Sequence, residues 1–111
     1  MRGSAVRLGL LALAVAAAPA RAEVPDEWWA MRLPEPMHSI VAKDIQNRLV
    51  SLDCFTGRAD GIVGPDTERA IRDWQRASGL PETGVISEPL VVTLLTQQPW
   101  DVPSCVREAA R

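Results

Sequence analysis

Asp60-Gly-Ile-Val-Gly-Pro65-Asp-Thr-Glu-Arg-Ala70-Ile-Arg-Asp-Trp-Gln75 is the stretch that decides the fold. Asp60-Gly61 is a strong turn dipeptide, because glycine accepts positive φ and aspartate can bond its own backbone. Pro65 suits the first position of a new helix, where the missing N–H costs nothing. Asp66 and Glu68 then fall in the first turn, where negative charge favours the helix dipole. Thr67, Ile71, Trp74 and Ser78 share one face, flanked by Ala70 and Ala77, while Arg69, Arg72, Asp73 and Arg76 occupy the others. Gly79 is the expected C-terminal stop.

Working outward, a helix is expected on each side. Upstream, Val41, Ile45, Leu49 and Leu52 recur at helical spacing behind Ser39, which offers an N-cap. Asp44 and Arg48 form an i,i+4 pair on its wet side. Downstream, Ser87 caps a helix with Pro89 in its first turn and a stripe of Leu90, Val91, Leu94 and Leu95, ended by Pro99. Thr83-Gly-Val-Ile-Ser-Glu-Pro89 echoes Asp60-Gly-Ile-Val-Gly-Pro65: a Gly turn, two branched apolar residues, then a helix start. The expected fold is all-α, a compact three-helix bundle with Gly-rich connecting turns over residues 39–98. An irregular Pro- and Trp-containing lead-in, 23–38, precedes it and a tail, 99–111, follows. Trp28 and Trp29 in the lead-in either pack onto the domain or form a contact surface; exposed paired tryptophan is a liability, which favours packing.

The 111 residues are enough for one small domain and leave no room for a separate catalytic domain beside it. Hydrophobic residues make up 47% but aromatics only 5%, and much of the excess lies at the start of the chain. Residues 1–22 read as a cleaved secretory signal: Arg2 and Arg7, an apolar run from Leu8 to Ala18, then small residues. Ala20-Arg21-Ala22 fits the cleavage site, with Ala18-Pro19-Ala20 competing. Pro19 and Arg21 interrupt the run before the ~20 apolar residues a membrane span needs, so no stable insertion is expected after cleavage. Removing 22 of the 111 residues takes three arginines and no acid. That leaves 89 residues, nine Lys+Arg against 14 Asp+Glu, and a net charge of -5. Such a chain has no field to hold nucleic acid.

Cys54 and Cys105 are the only cysteines, and export places them where a pair is more often bridged than free. Chain-entropy arithmetic gives roughly 4 kcal/mol as a model-dependent ceiling for the loop of about 50 residues they close. A structural metal site wants more ligands than His38, the one histidine, can complete. No cofactor motif appears either: Gly57, Gly61 and Gly64 lack the Lys-Ser/Thr of a phosphate loop. No catalytic residues are expected, since Asp60 and Asp66 have ready roles at a turn and a helix start, and any His-based relay would have to use His38.

Three ordered motifs resemble the small peptidoglycan-binding domain family of bacterial cell-wall hydrolases. They are Ile45-Gln-x-x-Leu49-x-x-Leu52, Asp60-Gly-Ile-x-Gly-Pro-x-Thr67-x-x-Ala70-Ile71-x-x-Trp74-Gln75, and Gly79-Leu80-Pro-x-Thr-Gly84-Val-Ile. The family commonly has Gly and aromatic residues after the first helix, where this chain has Asp53-Cys54-Phe55. The resemblance implies a three-helix bundle and an exported, non-catalytic module that binds peptidoglycan, glycan or stem peptide, in the periplasm. The alternative is an interaction module, an accessory or inhibitor of a cell-wall enzyme. The candidate ligand residues are Phe55, Arg58, Asp60, Gly61, Arg69, Arg72 and Gln75. Each has a structural counterpart reading: Asp60 bracing its turn, Gln75 bonding a neighbouring loop, and the arginines forming a solvated, ion-paired face.

Overall fold

Two prolines and a run of apolar residues at helical spacing start the first helix of the computed structural model, which describes residues 24–106. This helix, α1, spans Met37–Ser51; α2 spans Pro65–Ala77 and α3 Glu88–Thr96. Short 3-10 turns, Asp26–Ala30 and Pro99–Asp101, flank them. The described chain is all-α with three α-helices, and its sole strand-like feature is one antiparallel bridge between Arg32 and Ser87. The segment 1–22, expected to be a secretory signal, lies outside the described residues.

α1 packs against both α2 and α3, and the first 3-10 turn packs on α3. The core draws Ala42, Ile45 and Leu49 from α1, Ala70, Ile71 and Trp74 from α2, and Leu90 and Leu94 from α3. Each large side chain buried there contributes about 1.5–3 kcal/mol. The segments outside the bundle also supply core: Trp29 from the lead-in and Val102 from the tail are both buried. The tail closes over the bundle in two places. Pro103 O accepts the buried Trp74 Nε1–H at 3.1 Å, and the Cys105 N–H bonds Leu52 O at 3.0 Å. The Cys54–Cys105 disulfide locks that closure.

Both long helices end alike. After α2, Gly79 sits at φ 69° while the Leu80 N–H bonds Gln75 O and the Gly79 N–H bonds Arg76 O. After α1, Asp53 takes the same left-handed place at φ 59°, with Cys54 N–H to Leu49 O and Asp53 N–H to Val50 O. These are Schellman closures, in which a left-handed residue lets the last carbonyls find donors. Asp53 therefore takes after α1 the place that Gly79 takes after α2.

Three local expectations are corrected. Ser39 is not the N-cap: the cap lies three residues earlier, at Pro36, because proline tolerates a position that needs no N–H. The Ser39 hydroxyl instead donates to Glu35 Oε2 at 2.6 Å. Arg48 reaches across to α3 and donates to Gln97 O at 2.6 Å, satisfying a carbonyl just past that helix, in place of an ion pair with Asp44. The lead-in is not irregular throughout, since Asp26–Ala30 is a 3-10 turn that buries Trp29. Ser87 does cap α3, its Oγ accepting from the Leu90 N–H at 3.3 Å.

Candidate functional site

The two echoing turns are each held by a buried glutamine on the preceding helix. On α1, Gln46 Oε1 accepts the Gly61 N–H at 2.8 Å, and its Nε2 donates to Ile62 O at 2.9 Å and Thr67 Oγ1 at 3.0 Å. On α2, Gln75 Oε1 accepts the Gly84 N–H at 3.0 Å, and its Nε2 donates to Thr83 Oγ1 at 3.1 Å. Each turn also braces itself: Asp60 Oδ1 accepts from the Ile62 N–H at 2.9 Å, and Thr83 Oγ1 from the Val85 N–H at 3.3 Å. Gly61 and Gly84 sit at φ 82° and 70°, where a side chain would be strained. The Ile62 N–H and, second to it, the Gln46 amide hold the Asp60 carboxyl below the usual carboxylate range.

The candidate ligand residues divide among three places. Phe55 and Arg69 line one cleft of about 320 Å³, between residues 54–57 and the exposed side of α2. Phe55 is buried in its wall, and Gly57 lies against its ring so closely that a Cβ would fall 2.5 Å from Phe55 Cζ. Asp66 and Asp73 bracket Arg69 in the same cleft, and Arg69 Nη1 reaches Asp66 Oδ1 at 3.2 Å. Arg58, Asp60 and Gly61 follow along the chain from this cleft, with Arg58 and Asp60 exposed. Arg72 goes elsewhere, lying over Gly84, where an added Cβ would meet its Nη1 at 2.7 Å. Gln75 is fully buried with both amide atoms engaged, so it holds the Thr83-Gly84 turn and is closed to a ligand. Arg76, the remaining arginine of α2, pairs with Glu82 at 3.0 Å and Asp73 at 3.2 Å.

The larger openings lie around Trp28. It is 51% exposed, whereas its neighbour Trp29 is 2% exposed. Trp28 lines two grooves of about 420 Å³ each. One runs past Pro89, Val92 and Val102, with Glu88, Thr93, Gln97 and Asp101 at its polar positions. The other is walled by Met31, Leu33, Pro34 and Pro89. The expectation that both tryptophans pack holds for Trp29 alone. Adjacent residues of a 3-10 turn point in different directions, and here the turn that buries Trp29 leaves Trp28 facing outward.

Ser39, Glu35 and His38 also come together, with Glu35 Oε1 3.6 Å from His38 Nδ1. The carboxylate lies between hydroxyl and imidazole, so the Ser39 proton is directed to Glu35 and not to His38. The hydrogen bond from Ser39 holds the Glu35 carboxyl below its ordinary value, and burial lowers His38. Among the described residues, no group of three or more His, Cys, Asp or Glu side chains is placed to hold a metal ion.

All three ordered motifs thus fold into one unit: two helices that each carry a glutamine, the two glycine turns these hold, and the helix that closes on them. Residues 42–93 match the family model of the putative peptidoglycan binding domain. The match runs from within α1 to within α3 and includes both glutamine-held turns. It leaves out Trp28, Trp29, Val102 and Cys105. No curated protein and no solved structure matches the chain. The matched domain supports peptidoglycan as the partner. Together with the Cys54–Cys105 disulfide, it points to an extracytoplasmic setting. No helix among the described residues is long and apolar enough to cross a membrane.

Proposed function

We propose that the protein is exported to the bacterial periplasm, where it binds peptidoglycan and carries out no chemistry on it. The family match over 42–93 is the observation that carries this reading. The contact is the cleft of Phe55, Asp66, Arg69 and Asp73. Arg69 takes a stem-peptide carboxylate, and the flanking aspartates take an ammonium group. Arg58 and the Asp60-Gly61 turn extend that surface. The Arg69–Asp66 pair is a surface ion pair, of a kind worth about 0–1 kcal/mol, and so is readily exchanged for a ligand group. The non-catalytic reading draws on Asp60, which is spent on its turn, and on the Ser39–Glu35–His38 order, which supplies no base to the hydroxyl.

Purified wall sacculi sedimented with the protein test the proposal. The wild type pellets, and Arg69→Ala lowers the bound fraction several-fold. Protein that stays in the supernatant across salt and pH refutes it, and new soluble wall fragments refute the non-catalytic part. A second reading, an interaction module serving a cell-wall enzyme, is favoured by the exposure of Trp28.

A further inference from the structure

Two tryptophans are exposed, Trp28 and Trp100, and of these Trp28 lines the grooves. Trp29 anchors the turn in the core, and the next residue back is thereby held out at the surface between two grooves. Exposed tryptophan beside exposed Met31 and Val92 makes an apolar patch of the kind that marks contact surfaces, and tryptophan is among the residues most often at their energetic centre.

The charges around this patch select its occupant. The groove past Val92 and Val102 has two charged residues in its lining, Glu88 and Asp101, both acidic. Asp26 and Glu27, on the same 3-10 turn as Trp28, are exposed acids as well. None of these four carboxylates is in an ion pair among the described residues. The second groove is bordered by Glu88 as well as by Arg32, whose charge is offset by Glu35 at 3.3 Å. An anionic stem peptide would be repelled there. A cation would meet both unpaired carboxylates and the indole face, which attracts positive charge.

We propose that the Trp28 grooves dock a segment of a partner protein that presents lysine or arginine next to large apolar side chains. The apolar side chains enter the grooves on either side of the indole, and the cations reach Glu88 and Asp101. This site is separate from the Arg69 cleft and does not rest on wall binding there.

The test titrates the protein with end-blocked eight-residue peptides of alternating Lys and Leu, Glu and Leu, or Lys and Ser, following the Trp28 indole N–H by NMR. The Lys/Leu peptide shifts that signal and binds at least tenfold more tightly than the other two, and its affinity falls with added salt. Trp28→Ala loses tenfold or more in affinity while keeping the helical circular dichroism and the sacculus sedimentation of the wild type. Glu88→Gln combined with Asp101→Asn, at exposed positions that leave the core intact, loses at least threefold and flattens the salt dependence. Equal binding of the three peptides, or wild-type affinity in either variant, overturns the proposal. So does displacement of the Lys/Leu peptide by N-acetylglucosamine oligomers, which would make the grooves a glycan site. A gain in affinity on deleting residues 107–111, which carry Arg107 and Arg111, would assign the grooves to the chain's own end and equally overturn it.

Discussion

Replacing Gln46 with leucine isolates what holds the Asp60-Gly61 turn against α1. The side chain is fully buried, and leucine fills much of its volume without its amide. Four groups lose a bond: the Gly61 N–H, Ile62 O, Thr67 Oγ1 and Asp60 Oδ1, the last at 3.4 Å and still bonded by the Ile62 N–H. Thr67 is buried, so its hydroxyl bears most of the cost of a stranded polar group, about 1–3 kcal/mol. Gly61 is half-buried and Ile62 exposed, so their backbone groups recover part of the loss from water. With the apolar gain of leucine subtracted, the net destabilisation is about 3 kcal/mol, a large share of the 5–15 kcal/mol typical of a domain. For a unit this small that lowers Tm by about 12–24 °C. Urea unfolding at constant pH, with the disulfide intact and helicity followed at 222 nm, measures it. The Asp60 carboxyl, titrated by NMR, should also rise towards its ordinary value as the Gln46 contact goes. A loss below about 1 kcal/mol at unchanged m-value would refute the view that this amide, rather than generic core packing, fixes the turn.

Gln75→Leu removes the equivalent amide but strands chiefly the buried Gly84 N–H, because Thr83 Oγ1 keeps its bonds to Trp29 O and the Val85 N–H; about 2 kcal/mol is expected by the same denaturation. Asp53→Gly relieves a left-handed position at φ 59° and should raise the urea midpoint, by about 0.5–1 kcal/mol in stability. Burial depresses His38, so the unfolded chain binds the extra proton first; stability is complete above the ordinary histidine value of 6.5 and declines as pH falls through it towards the folded value. His38→Gln should flatten that part of the stability–pH curve, and an unchanged slope would remove His38 as its source. Reduction should add two hydrogens to the intact mass and cost up to about 4 kcal/mol, and free thiols in protein taken from the oxidising compartment would contradict the bridge.

Apolar periodicity and turn chemistry determined the helices, since both act over a few residues. The 60–75 stretch by itself specified α2 and its Pro65 start, and Ser87 specified the start of α3. The Gly turns were equally plain, and their echo was visible as a repeated pattern. What the echo rests on was not: Gln46 and Gln75 lie 15 and nine residues before the glycines they hold, and no local rule links an amide to a backbone group at that distance. Polar residues next to a helix's apolar face read as ligand contacts or as core bonds equally well until burial is known, which is why Gln75 belongs to the fold and not to the ligand surface. The ends of α1 obeyed the same limit, because Ser39 and Arg48 each had a local partner in prospect and found a better one in Glu35 and Gln97.

The amino-acid sequence alone determined that this chain forms three helices joined by glycine turns, carries one pair of cysteines suited to a bridge, and bears the ordered motifs of a peptidoglycan-binding domain. The tertiary structure decided which apolar residues are core and which are surface. Trp28 and Trp29 are adjacent and chemically identical, yet one is sealed against α3 and the other stands between two acid-rimmed grooves. Composition and spacing treat the two alike; only the direction in which a packed 3-10 turn points each indole tells them apart.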